Sequence, residues 1–416
     1  VLTEYYDIVV VGAGLAGSSL AGALALLSDK KIAVLERSLP QAITDPSPDS
    51  RPISLNYGSQ QALATLGWWG RLAPQATAIR AVQVSQQGRL GVVDFKADDF
   101  HLPALGYVIP YDYLHQQLYE VTAGSSQVDF IQVSAIESVE NQTGRTTITL
   151  QSGQGTQQLC AQLLVVADGA QSDCCDLLGI RVNRESSGKV ALSGELKLSS
   201  VHHNRALQRF CKQGVIAVLP LSDPYRARFV LTLEAEHHNT MQTFGRSRWL
   251  QFWQDALRGY LLVESVKWSG ELSLQIHMAQ EIVRPGVVII GNAAHTLYPL
   301  AAQGFNLTFR DVAALVELLI DAMIGSPTDW ASASVLQNYA NWRDKDARQL
   351  NRFTSGLQSL FELRLPGLGH LRGLGLIGLD MMPGGKKALC SWLMGLGGKV
   401  PKLMRGVFFK SIKRED

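Results

Sequence analysis

The sequence predicts an α/β protein in which a Rossmann-like domain carries an inserted antiparallel-sheet domain and ends in a helical C-terminal segment. Three stretches predict it. Tyr6 to Val11 is a continuous apolar strand running into Gly12-Ala13-Gly14-Leu15-Ala16-Gly17. Leu163 to Ala167 is a second such strand and ends in Asp168-Gly169. Val287 to Ile290 is a third; it ends in Gly291-Asn292-Ala293-Ala294, and a Pro-bearing loop then leads into a helix from Gly304 to about Ile324. In an open α/β sheet the ligand crevice lies at the carboxyl ends of the strands, so three strands ending in small or acidic residues read as three contacts for one long ligand.

Composition narrows the class. A chain of 416 residues with 46% hydrophobic and 18% charged residues is globular and long enough for two or three domains. A net charge of +2 points away from nucleic acid as a partner. From Lys386 onward, however, eight Lys/Arg face only Glu415 and Asp416, a local +6. The five cysteines (Cys160, Cys174, Cys175, Cys211, Cys390) contain no C-x-x-C pair, so a reducing, cytoplasmic compartment is the expectation. VLTEYYDIVVVGAG has no basic region ahead of its strand, so no signal peptide is expected, and no apolar run approaches the ~18 residues that cross a bilayer.

The first βαβ unit carries the most chemistry. Small residues and leucines continue as a helix to about Leu27, and the strand Ile32 to Leu35 ends at Glu36, nineteen residues beyond Gly17. This is a dinucleotide fingerprint in context: Gly12 makes the turn, Gly14 lets a pyrophosphate approach the backbone, Gly17 permits close helix packing, and Glu36 meets ribose hydroxyls. The unit leaves NAD and FAD open. Residues 40 to 52 form a Pro-rich loop with Arg51 at its end; by position alone Arg51 reads as a solvated charge, with a pyrophosphate clamp as the alternative. Next come a helix from Ser59 to Leu72 with Trp68-Trp69 as core, strands at Ile79 to Val84 and Gly91 to Phe95, a helix at Tyr111 to Thr122, and two or three antiparallel strands between 128 and 160.

Strands near 190–198, 214–221, 226–234 and 266–277, with a helix near 246–258, predict the inserted antiparallel sheet. The ligand domain is expected at 1–72, 104–180 and 284–355, the substrate domain at 73–103 and 181–283, and the C-terminal segment at 356–416. Leu336 to Phe361 reads as a long helix. From Pro401, PKLMRGVFFKSIK places Leu403, Met404, Val407, Phe408 and Ile412 on one face of an amphipathic helix, with Lys402, Arg405 and Lys413 towards the other. Either a membrane surface or the protein's own surface would cover that apolar face.

GAGLAG with Glu36-Arg37, VVADG at 165–169 and GNAAHTLYPLAAQGFNL at 291–307 together resemble the three FAD motifs of the single-component flavin monooxygenases, the aromatic hydroxylase group. The resemblance covers essentially residues 1–361. Within the group, RFCKQGVIAVLPLSD at 209–223, NYANWRDKD at 338–346, and Asn in place of Asp at 292 are most similar to the ubiquinone-biosynthesis hydroxylases. The resemblance implies FAD as cofactor, NAD(P)H as a transient reductant without its own domain, and oxygen transfer from O2 through a flavin C4a-hydroperoxide. It implies a polyprenylated phenol as substrate, met peripherally at the inner membrane beside other ubiquinone-biosynthesis proteins. Its FAD contacts would be Gly12, Gly14, Gly17, Glu36, Arg37, Arg51, Asp168, Gly169, Gly291, Asn292, Pro299, Gln303, Gly304 and Asn306.

The chain departs from the group at four positions. Cys175 stands where the group has Arg, Ala302 and Thr308 replace glycines, and Asn292 keeps an acceptor oxygen but loses the charge. No catalytic acid or base is assigned. No metal is expected, because Glu234-x-x-His237 is the single E-x-x-H and a di-iron bundle needs two. His295 reads as a structural residue near the turn. An FAD-dependent prenyl reductase and a redox-silent flavoprotein scaffold in a lipid-synthesis assembly are the alternative functions.

Overall fold

A computed structural model describes residues 3–40, 51–142, 145–296, 303–362 and 368–409. The chain opens with strand β1 (Thr3–Val11), helix α1 (Leu15–Leu27) and strand β2 (Ile32–Glu36). Helix α1 is made of small residues because it is enclosed: a Cβ on Gly22 would lie 2.6 Å from Thr122 Oγ1 and 3.2 Å from the Trp68 ring. No room exists there for a larger side chain.

Five strands run parallel in the order Val128–Gln142, β2, β1, Gly155–Val166, Val287–Ile289. Their register aligns Ile131, Leu35, Val11, Val166 and Ile289 in one row. The residues that follow, Glu36, Gly12, Ala167 and Ile290, therefore share one edge of the sheet. Beyond the parallel part, Val128–Gln142 pairs antiparallel with Arg145–Ser152, which pairs with Gly155–Val166. The run expected at 163–167 is thus the second half of one strand that begins in the meander. Helix α1 and the helices Gln303–Gly325 and Ala333–Glu362 close one face of the sheet over Ile8, Val10, Leu163 and Val165; Cys174, Cys175 and Leu178 pack on the other.

The second sheet has eight strands in the order His295–Thr296, Val263–Ala279, Val182–Leu198, Arg226–Glu234, Gly214–Pro220, Arg205–Phe210, Ala81–Gln86, Val92–Lys96. It departs from the expected all-antiparallel sheet at one place, where Arg205–Phe210 runs parallel to Ala81–Gln86. The latter, paired in a hairpin with Val92–Lys96, comes from the segment expected at 73–103 and joins the sheet edge after the long excursion in sequence. Helix Arg246–Ala256 covers one face, where Ile216 and Val218 are fully buried with Trp253. Val215, Ala217 and Leu219 alternate onto the opposite face, where Leu219 packs near Val108 and Ile79.

Two helices differ from expectation. The one expected over Ser59 to Leu72 is two, Tyr57–Thr65 and Trp69–Leu72, interrupted at Gly67, whose φ of 76° is left-handed. Trp68 is buried in the core and Trp69 meets Tyr107 edge-on at 4.7 Å, so both serve packing. The amphipathic helix expected from Pro401 is absent over 401–409, where only a 3-10 turn, Leu403–Arg405, forms. Gly406 at φ 74° ends that turn. Lys402 is tied across helix Gln303–Gly325, its N–H to Glu317 at 2.6 Å and its Nζ to Asp321 at 2.6 Å. Leu403, Met404 and Phe409 enter the first core, while Val407 and Phe408 stay exposed. Ile412 and Lys413 lie outside the described residues. The local +6 is likewise broken up: Lys386 pairs with Asp380, and Lys399 stacks 3.9 Å over Trp342.

Candidate functional site

The glycine turn after β1 is held by backbone constraints at both ends. Gly12 has φ 101°, and a Cβ there would lie 2.5 Å from the Ala167 carbonyl oxygen. A Cβ on Gly17 would lie 1.9 Å from the Gly12 oxygen. Gly14 differs: its φ of −66° suits any residue, and a Cβ would meet nothing within 4 Å. Gly14 is thus the N-cap of α1 with open space above it and no side chain capping the helix. The free first-turn amides and the dipole favour an anion at that point.

Two side chains hold this turn directly, and two more pack behind them. Glu36 accepts the Ala13 N–H at 2.7 Å and the Arg37 N–H at 2.8 Å. His115, on helix Tyr111–Ala123, bonds the Ala13 carbonyl at 2.7 Å. Tyr111 lies 5.7 Å from His115, and the Arg51 guanidinium stacks 4.3 Å over Tyr111. Arg51 is therefore anchored beside the turn rather than free in the loop. Arg37 forms an ion pair with Asp173, at the start of the short helix after Asp168-Gly169.

Asp168 accepts the Cys174 N–H at 3.2 Å through Oδ2, whereas its buried Oδ1 has no partner among the described residues. Burial raises its pKa, and the Ser172 and Cys174 hydrogen bonds offset that only partly. Gly169 has φ 93° and open space at its Cβ position. Cys175 is fully buried in the second core, a position with no solvent for the arginine of the wider group.

At the third strand, Gly291 has φ 63°, and a Cβ there would come 3.1 Å from the Thr308 methyl. The Asn292 side chain is exposed, whereas the Asn292 main-chain carbonyl accepts from His277 Nε2. Burial lowers the His277 pKa, which favours a neutral ring donating to that carbonyl. His295 Nε2 lies 2.9 Å from Asp311 Oδ2. Gly304 has open space at its Cβ position. Asn306 is buried: Oδ1 accepts from Asn56 N at 2.8 Å and Ser59 Oγ at 2.9 Å, and Nδ2 donates to Ser54 O at 2.9 Å. Its amide thus holds the helix start against Pro52–Asn56. Pro299 and the side chain of Gln303 lie outside the described residues.

Sequence reasoning missed His115, His277, Asp311 and Arg343. For Asp311 a signal existed, since an acid inside an apolar helix needs a buried partner. The two histidines carried none, because their partners are backbone carbonyls far away in sequence.

The open approach over Gly14, the uncapped N-terminus of α1, the unpartnered Asp168 Oδ1 and the exposed Asn292 side chain fit one extended dinucleotide along the sheet edge. Fold and site thus define a dinucleotide-binding protein of the Rossmann-like class. The model of the FAD binding domain family matches residues 5–354, and the chain belongs to that family. It is 26% identical to the 3-demethoxyubiquinol 3-hydroxylase of Escherichia coli over 94% of this chain and 98% of that relative. It is 29% identical to the mitochondrial ubiquinone biosynthesis monooxygenase COQ6 of Homo sapiens over 89% of this chain and 88% of that protein. Among solved structures, the p-nitrophenol 4-monooxygenase of Pseudomonas putida superposes with a TM-score of 0.78 at 17% identity, covering 96% of this chain and all of the other.

Proposed function

We propose that this chain is an FAD-dependent, NAD(P)H- and O2-using hydroxylase of a prenylated phenol in ubiquinone biosynthesis. The observation that carries the reading is the common register row from which Gly12, Asp168 and Gly291 emerge, with helix Gln303–Gly325 starting beside them. Bound FAD supplies electron uptake from NAD(P)H and the activation of O2 that places one oxygen atom on an electron-rich ring. The protein's part is position and field. Glu36 would hold the ribose, the α1 N-terminus and Arg51 the pyrophosphate, and the Gly291–His295 turn the ribityl chain. The positive end of helix Gln303–Gly325 would favour negative charge gained on reduction. Val215, Ala217 and Leu219 offer an apolar wall that would exclude water from the ring.

The reading extends to a membrane surface and to other proteins of the same pathway, because a polyprenyl tail keeps the substrate in lipid. No helix among the described residues is long and apolar enough to cross a bilayer. Support for surface contact lies on helix Leu368–Asp380 and the residues after it, where Leu371, Leu374, Met381 and Met382 are 63%, 62%, 77% and 62% exposed, with exposed Lys387 beyond them. The inner membrane, from the cytoplasmic side, is the proposed location.

Turnover under 18O2 with a short-chain soluble phenol tests the reaction. Incorporation of one labelled oxygen per NAD(P)H supports it; a product with reduced double bonds and no label points to a prenyl reductase, and no substrate-stimulated NAD(P)H oxidation points to a scaffold. Vesicle flotation tests the location: serine at the four exposed positions should abolish binding to anionic liposomes while FAD content stays at the wild-type level.

A further inference from the structure

A largely buried line of charge, fully enclosed at Asp311 and Arg343 and partly open at Asp346, connects the turn at the third strand to the segment Gly395–Lys399. Asp311 Oδ2 accepts the Gly291 N–H at 3.2 Å and lies 2.9 Å from His295 Nε2, so both ends of the turn hang on one carboxylate oxygen. Asp311 Oδ1 accepts from Arg343 Nε at 2.6 Å. Arg343, 1% exposed, gives Nη1 to Asp346 at 2.6 Å, and Asp346 also accepts from Arg310 Nε at 2.8 Å. The Arg310 fork then reaches Gly395 O at 2.8 Å, Gly397 O at 2.8 Å and Lys399 O at 3.0 Å. Trp342 Nε1 adds a bond to Lys399 O at 3.1 Å.

Burial alone would raise the Asp311 pKa; His295 and Arg343 overcome it and hold the carboxyl below its usual range. Replacing such buried arrays by packed apolar side chains is often neutral or stabilising, so stability is a weak reason for building one. What an ionised array does supply is direction, because each guanidinium carries its donors in one fixed plane and here bridges separate partners, Arg343 two carboxylates and Arg310 a carboxylate and three carbonyls, which fixes an orientation that dispersion would leave loose.

We propose that Asp311 and Arg343 are positioning residues for the flavin: they set the Gly291–His295 turn, and Gly395–Lys399 is the far anchor of the same array. The proposal rests on FAD lying against that turn. The segment Gly395–Lys399 is thereby tied to the cofactor site. Without Arg343, Asp311 keeps His295 and the Gly291 N–H, but the turn loses its link to Asp346, Arg310 and the C-terminal anchor.

The test uses purified holoenzyme and reads FAD release by the rise in flavin fluorescence, together with the visible spectrum of bound flavin. Arg343→Met should release FAD at least tenfold faster and shift the visible band, Arg343→Lys should restore part of both, and Asp346→Asn should act in the same direction more weakly. Trp253→Phe, in the core of the other domain, is the control for lost stability: it should lower the thermal midpoint and leave both flavin readouts alone. Wild-type release and spectrum in both Arg343→Met and Asp346→Asn would overturn the proposal. So would equal release from Trp253→Phe at a matched thermal midpoint. Failure of the FAD reading is separate, and would appear as a Gly14→Val protein that keeps its full flavin content.

Discussion

Glu36 Oε2 accepts the Ala13 N–H at 2.7 Å, which ties the end of the second parallel strand to the glycine turn after the first. The same carboxylate has lone pairs left for ribose hydroxyls. Glu36→Ala should lower FAD affinity by about 1.5–3 kcal/mol, the value of a hydrogen bond to a charged group. Asn292→Asp, at an exposed side chain, should change it little. Equilibrium titration of the two apoproteins with FAD checks the order.

Gly14 and Gly17 separate ligand space from packing space. Gly14→Val should be colourless and fold with a thermal midpoint close to that of the wild-type apoprotein, lowered only by the poorer N-cap residue, because nothing of the protein lies within 4 Å of the new Cβ. Gly17→Ala should lose stability outright, its Cβ being placed 1.9 Å from the Gly12 oxygen. Thermal melts and the flavin absorbance of the purified proteins distinguish the two.

Asp168 is a partly buried acid with one enclosed oxygen, and desolvation is the first cause that raises its pKa. A group with a raised native pKa contributes stability below its unfolded value, about 4, and loses it as pH rises through the native value. Apo Asp168→Asn should therefore melt above wild type at neutral pH, and the gap should close towards pH 4. Its FAD affinity should fall, because Oδ1 is the acceptor left for the ligand.

Deleting residues 401–416 removes Leu403, Met404 and Phe409 from the first core and Lys402 from Glu317 and Asp321. Each apolar side chain is worth roughly 1.5–3 kcal/mol of burial. The truncated protein should melt far lower and shed FAD, whereas Val407→Ser with Phe408→Ser should keep both. Differential scanning fluorimetry with flavin quantitation checks this.

The sequence by itself determined the elements that rest on local chemistry. Gly12, Gly14 and Gly17 between two apolar strands, with Glu36 closing the unit, specify a dinucleotide turn because backbone approach demands glycine at fixed spacing. The three ligand strands and the period-2 strand Arg226–Glu234 were legible for the same reason, their side-chain pattern being written along the chain. Tertiary structure decided what depends on partners distant in sequence. The PKLMRGVFFK stretch has helical apolar spacing, yet Gly406, Glu317 and Asp321 hold it as a turn in the core. Asn306 faces Asn56 and Ser59 across some 250 residues, and Asp311 meets Arg343 from a different helix. Such pairings leave no periodicity behind, because a buried polar group needs only one correctly placed partner, and the fold alone sets which residue arrives there.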